Sequence, residues 1–120
     1  MGETDKLTLA TCSIVMRFAP GDAHPAVELL RSVTGLIQAK RGCHACKIET
    51  EAAEPGLVHY REEWGSEEAF RRHVRSEEFQ PVLVAMDMCS EAPQIVVGKL
   101  DGHGGMAYLR TLRGNAEEAL

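Results

Sequence analysis

Residues 58–88 read VHYREEWGSEEAFRRHVRSEEFQPVLVAMDM. From Val58 to Trp64 large and polar side chains alternate with the period of a strand. The run ends on the one Trp of the chain, whose ring N–H needs a partner wherever the ring is buried. Gly65 breaks the strand. Ser66 is a good N-cap, and Glu67 and Glu68 follow where a helix N-terminus favours negative charge. The position at which a capping box wants Glu or Gln is Ala69, so that motif is incomplete. Phe70, His73 and Val74 fall at i, i+3 and i+4, the spacing of one helical face. Ser76-Glu77-Glu78-Phe79 repeats the start signal, and Phe79, Val82, Leu83 and Met86 continue an apolar stripe in which Pro81 is tolerated if a new helix begins at Ser76. Trp64 and His73 are thereby brought to the gap between sheet and helix, which is where a site is expected.

Upstream, Leu7 to Phe18 alternates Ala10, Cys12, Ile14, Met16 and Phe18 with Leu9, Thr11, Ser13, Val15 and Arg17. Both sets are mostly apolar, which predicts a strand covered on both faces. Pro20-Gly21-Asp22 makes a turn. The helix after it has Pro25 near its start, a stripe of Ala26, Leu29, Leu30, Val33, Leu36 and Ile37, a weak point at Gly35, and a close at Lys40-Arg41-Gly42. Cys46 to Glu51 reads as a second strand and Ala53-Glu54-Pro55-Gly56 as a turn. After Ser90-Glu91-Ala92-Pro93, Gln94 to Leu100 is a β-branched fourth strand. The order βαββαβ is the split βαβ, or ferredoxin-like, arrangement, an α+β fold with an antiparallel sheet. Helices on one face of such a sheet leave the other bare. Read as carrying Leu, Val and Ile, that face predicts a covering partner sheet and therefore a homodimer. Residues 1–6 read as a flexible N-terminus and 7–100 as the domain. Residues 101–120 read as a C-terminal extension, with a short fifth strand at Met106 to Leu112 and a loose tail.

Composition bounds the rest. The 120 residues, 44% of them apolar, suit one globular domain. A net charge of −5 argues against nucleic acid as a partner, since phosphate binding needs a basic face. No apolar run reaches a membrane span, and Glu3 and Asp5 stand where a signal peptide would be basic, which points to the cytoplasm. Four cysteines there are expected as thiols. Cys43-His44-Ala45-Cys46 has no second pair to complete a zinc site. It leads into a strand, where its two thiols are expected to diverge, so no metal site is predicted. Cys12 and Cys89 read as small core residues. His24 and His103 read as surface, and His59 shares a strand face with Arg61 and Glu63. Gly102-His103-Gly104-Gly105 lacks the strand-to-helix context of a phosphate loop.

Tyr60, Glu62, Trp64, Ser66, Phe70, His73, Ser76 and Phe79, at their spacing, resemble the antibiotic biosynthesis monooxygenase (ABM) domain family. The likeness runs over residues 7–100, and Gly42-Cys43 looks like that family's helix-to-strand junction. The resemblance implies a ferredoxin-like fold whose sheets pair into a dimeric α+β barrel. It also implies an oxidoreductase, a cofactor-independent monooxygenase of a small aromatic, phenol or quinol, using molecular oxygen without metal, flavin or heme. Such a substrate must lose a proton before its anion can pass an electron to oxygen, so the site needs a base, a hold on the anion and a dry cavity. Imidazole titrates near neutral pH, which makes His73 the candidate catalytic residue. Trp64, Tyr60 and Phe70 are the candidate substrate-binding residues. A different reading has His73 hydrogen-bonded to Glu62 or Glu63, pinning helix to sheet. Two other functions remain open because the scaffold hosts unrelated chemistries: a non-catalytic small-molecule-binding or stress-response dimeric barrel, and the heme-binding or heme-degrading branch. Aligned on Trp64 and Phe70, that branch's iron-ligating His falls at Leu83 and its ring-crowding Trp at His73, so the iron ligand is absent.

Overall fold

The computed structural model describes residues 8–101. β1 (Thr8–Arg17) leads to α1 (Ala23–Gln38), and β2 (Cys43–Glu51) and β3 (Glu54–Trp64) form a hairpin. α2 (Glu67–Val74), a single 3-10 turn (Glu77–Phe79) and α3 (Gln80–Asp87) then return the chain to β4 (Gln94–Asp101). The four strands lie in the order β2-β3-β1-β4, each antiparallel to its neighbours. β3 is thus inserted between β1 and β2, the split topology that the element order predicts. The flexible N-terminus expected at residues 1–6 and the short strand expected at Met106 to Leu112 lie outside the described residues. Among the described residues no helix is long and apolar enough to cross a membrane.

The register fixes which side chains meet the helices. Ala10 pairs with Trp64, Cys12 with Glu62 and Ile14 with Tyr60, so the even-numbered residues of β1 and β3 share one face. Ile14, Met16, Val58, Tyr60 and Trp64 are sealed there beneath Leu30, Ile37 and Val82. Burying each such side chain contributes roughly 1.5–3 kcal/mol relative to leaving it exposed. The Ser66 hydroxyl accepts the backbone N–H of Ala69 at 3.0 Å, which is the cap expected for α2.

Several expectations change. β1 is covered on one face only among the described residues, for Thr11, Ser13 and Val15 are half-exposed. Pro55 and Gly56 lie inside β3, not in a turn. Gly56 is required by close approach, because a Cβ there would stand 2.7 Å from the Phe18 carbonyl oxygen. β2 starts at Cys43 rather than Cys46, with an irregularity between Cys43 and Ala45. On α2, Ala69 and His73 face the sheet, whereas Phe70 is half-buried and Val74 is 39% exposed. Leu83 points outward at 40% exposure, leaving Phe79, Val82 and Ala85 as the buried stripe.

The largest correction concerns the bare face. By register Ile14 and Ile95 lie on the helix side, and the opposite face carries Ser13, Arg61 and Glu63 at its centre, with Leu9, Val15, Leu57 and Val96 around them. Arg61 bridges Glu63 and the Ser13 hydroxyl, each at 2.8 Å. That face is polar over its centre. The exposed apolar surface gathers instead on β4, where Ile95, Val96 and Val97 are 51%, 67% and 58% exposed.

Candidate active site

Alternation along β3 puts Tyr60, Glu62 and Trp64 on the buried face, and the short Gly65-Ser66 link drops α2 back over them. His73 stacks on Trp64, ring centroids 4.6 Å apart and planes at 28°, and meets the edge of Phe79 at 5.3 Å. Glu62, fully buried, accepts three donors: Trp64 Nε1–H and His73 Nε2–H, each at 2.9 Å, and the Tyr60 hydroxyl. On the other side of the imidazole, Lys40 Nζ lies 3.1 Å from His73 Nδ1. An ammonium can only donate, so Nδ1 accepts and the ring proton sits on Nε2, facing Glu62. Lys40 also reaches Ser76 Oγ and Glu78 Oε1, each at 2.7 Å. The Ser76 hydroxyl, expected as a cap, instead donates to the His73 carbonyl at 2.6 Å.

A continuous chain of hydrogen bonds results, from Glu78 through Lys40, His73 and Glu62 to Tyr60, whose oxygen lies 3.3 Å from Cys46 Sγ. An unpaired buried polar group costs roughly 1–3 kcal/mol, and among the described residues every buried side-chain N or O has a partner. Burial and the neighbouring Glu62 carboxylate hold the Tyr60 phenol protonated, far above its ordinary range. Burial likewise pushes the Cys46 thiol up to about 11, against the Tyr60 hydrogen bond and with help from Glu62. The Lys40 hydrogen bond and charge hold Glu78 below its ordinary value.

A pocket of about 230 Å³ opens onto this cluster between Lys40, Trp64, Arg72, His73 and Ser76. Of the sequence candidates, His73 and Trp64 border it, and Tyr60 touches it only through Glu62. Phe70 does not join them. It lines a separate cleft of about 380 Å³ on the β4 side of α2. The arrangement can hold a proton on one imidazole nitrogen and offer the other to an acid, with cations beside it.

Sequence reasoning gave Glu62 only as a possible partner of His73, although its place between Tyr60 and Trp64 on one strand face carried the signal. Lys40 and Glu78 had none. Lys40 is 33 positions from His73, and only the fold, which lays the turn after α1 beside α2, joins them. The cysteine pair also needs correcting. Cys43 is opposite Trp64 and Cys46 opposite Glu62, so both sit on the face that carries the cluster and do not diverge. Both are free thiols, each pushed upward chiefly by burial. Among the described residues no three His, Cys, Asp or Glu side chains converge to hold a metal ion.

The sequence model of one family, antibiotic biosynthesis monooxygenase, matches residues 10–82. A crystal structure of an antibiotic biosynthesis monooxygenase superposes with a TM-score of 0.66 at 18% identity, covering 74% of this chain and 95% of that one. A Shewanella oneidensis protein gives 0.69 at 17%, covering 81% and 98%. A Pseudomonas aeruginosa protein gives 0.66 at 22%, covering 76% and 92%. At these identities the likeness is one of fold. No curated protein matches the chain.

Proposed function

Because the chain belongs to the antibiotic biosynthesis monooxygenase family, we propose that it oxidises a small aromatic phenol or quinol with molecular oxygen, and that His73 takes the substrate's proton. The observation that carries this reading is the asymmetric bonding of His73, Nε2–H to Glu62 and Nδ1 to Lys40, beside a pocket walled by Trp64.

A phenol entering the pocket replaces the ammonium at Nδ1 and gives its proton to that nitrogen. Glu62, already on Nε2–H, stabilises the imidazolium as the carboxylate of a His–carboxylate pair does. Lys40 and Arg72 hold the phenolate, and Trp64 walls one side. The phenolate passes one electron to oxygen, and the phenoxyl and superoxide join at a ring carbon. The resulting peroxide takes the proton back from His73 and loses water. One oxygen atom thus enters the ring, the other leaves as water, and a quinone results. Tyr60 is a positioning residue, since it acts through Glu62. The protein works as a homodimer in this proposal, in the cytoplasm, and needs no metal, flavin or heme.

Oxygen uptake with a panel of phenols and quinols tests this. General-base catalysis is worth about 10²–10⁴-fold, so His73→Gln should lower the rate by at least about a hundredfold. A wild type that consumes no oxygen with any of the panel ends the oxidation reading. The non-catalytic binding barrel would then take its place, and one observation favours it: His73 is only 2% exposed, with both ring nitrogens already engaged.

A further inference from the structure

The cleft on the β4 side of α2 has an apolar floor and a cationic rim. Phe70 and Val74 of α2, Ala10 of β1 and Val97 of β4 line it. β4 extends past the cover of the helices, which leaves Val97 58% exposed on the helix side of the sheet. Around the edge stand Arg71, Arg75, Lys99 and Glu67. Glu67 is shared between Arg71 at 3.7 Å and Lys99 at 3.4 Å, and among the described residues Arg75 makes no ion pair. Three cations against one carboxylate, on a chain of net charge −5, make a local excess that opposes the overall charge of the molecule.

We propose that this cleft binds a small aromatic carboxylate, its ring on Phe70, Val74 and Val97 and its carboxylate on the Arg71 and Arg75 guanidinium groups. The site is distinct from the His73 pocket and does not rest on the oxidation reading. About 380 Å³ lies low in the range of ligand pockets, roughly 300–1,000 Å³, and suits one or two rings rather than a long chain. The planar fork of a guanidinium matches a carboxylate with two parallel N–H···O bonds. A rim of arginines next to apolar floor selects for both halves of such a molecule at once.

The test uses the full chain and two probes, naphthoate and its neutral analogue naphthalenemethanol, followed by calorimetry and by amide NMR shifts. Naphthoate should bind at least about tenfold tighter than the alcohol, with shifts along α2 and β4, and the Arg71→Gln/Arg75→Gln variant should lose that preference. Equal affinities overturn the proposal. So do shifts centred on Lys40 and Trp64, or a cleft that takes neither probe because another segment or a second copy fills it. Should the double variant fail to fold, salt decides on the wild type. Added sodium chloride must weaken naphthoate and spare the alcohol, and a salt-insensitive preference overturns the proposal as well.

Discussion

Glu62 is a buried carboxylate whose three contacts are all donors, so its two oxygens are what allow an indole, a phenol and an imidazole to share one spot. Glu62→Gln turns one of those oxygens into a donor facing a donor, which should cost roughly 1–3 kcal/mol. Tyr60→Phe removes one donor and leaves two, and should cost less. Urea unfolding of both variants checks the ordering, and a Tyr60→Phe loss equal to or above that of Glu62→Gln would sink the account of the hub. The thiols give a pH dependence. Cys12 and Cys46 are pushed from an ordinary 9.0 to about 11, mainly by burial. A raised native value means that the folded state holds the proton longer. The associated stability is therefore complete below pH 9 and is lost as pH rises through about 11. Thermal midpoints of the wild type should fall across that window, and the decline should be shallower for Cys12→Ala/Cys46→Ala. Strand parity made Tyr60, Glu62 and Trp64 legible as one set. It said nothing of Lys40, because a contact between a turn and a helix far apart in the chain leaves no local periodicity to read.

At the scale of elements, the strands and helices follow from their periods, and the errors gather where elements meet. The irregularity at Cys43–Ala45 depends on the partner strand β3, which a single strand's pattern does not contain. Gly56 reads as a turn residue from sequence, yet it is there because the Phe18 carbonyl crosses it. Two glycines of the α1 region separate these causes. Gly42, at φ +90° and with a would-be Cβ 2.9 Å from the Ala69 Cβ, joins α1 to β2, and its carbonyl accepts the Gly65 N–H at 2.7 Å. Gly42→Ala should destabilise by more than about 1 kcal/mol. Gly35 is exposed in mid-helix with nothing near its would-be Cβ, so Gly35→Ala should stabilise by about 0.5–1 kcal/mol. Paired melting curves suffice, and two shifts of the same sign would show that the junction does not constrain the backbone as described.

At the scale of the molecule, the sheet order among the described residues places β4 at an edge, with Ile95, Val96 and Val97 exposed. The sequence-based argument for a dimer put the apolar surface on the bare face of the sheet, but the Ser13–Arg61–Glu63 network occupies its centre. The mixed character of that face has a physical origin: apolar alternation reveals that a strand has two faces, whereas which face meets the helices is fixed only by register. The homodimer we propose therefore leans on β4. An edge strand with β-branched side chains is a template for another copy, and monomers normally blunt it with charge or Pro. Register separates the two sides of this strand. Val96, opposite Ser13, faces away from the helices, while Val97, opposite Cys12, faces the arginine-rimmed cleft. Light scattering after size-exclusion chromatography should return twice the 13.2 kDa chain mass for the wild type. Val96→Lys should bring it down to one chain, because the charge would be desolvated between sheets. Val97→Lys should leave the dimer whole and close the cleft to naphthoate. A dimer that survives Val96→Lys but not Val97→Lys would mean that the copies meet through the cleft side, and that the face-to-face barrel is not how this chain assembles.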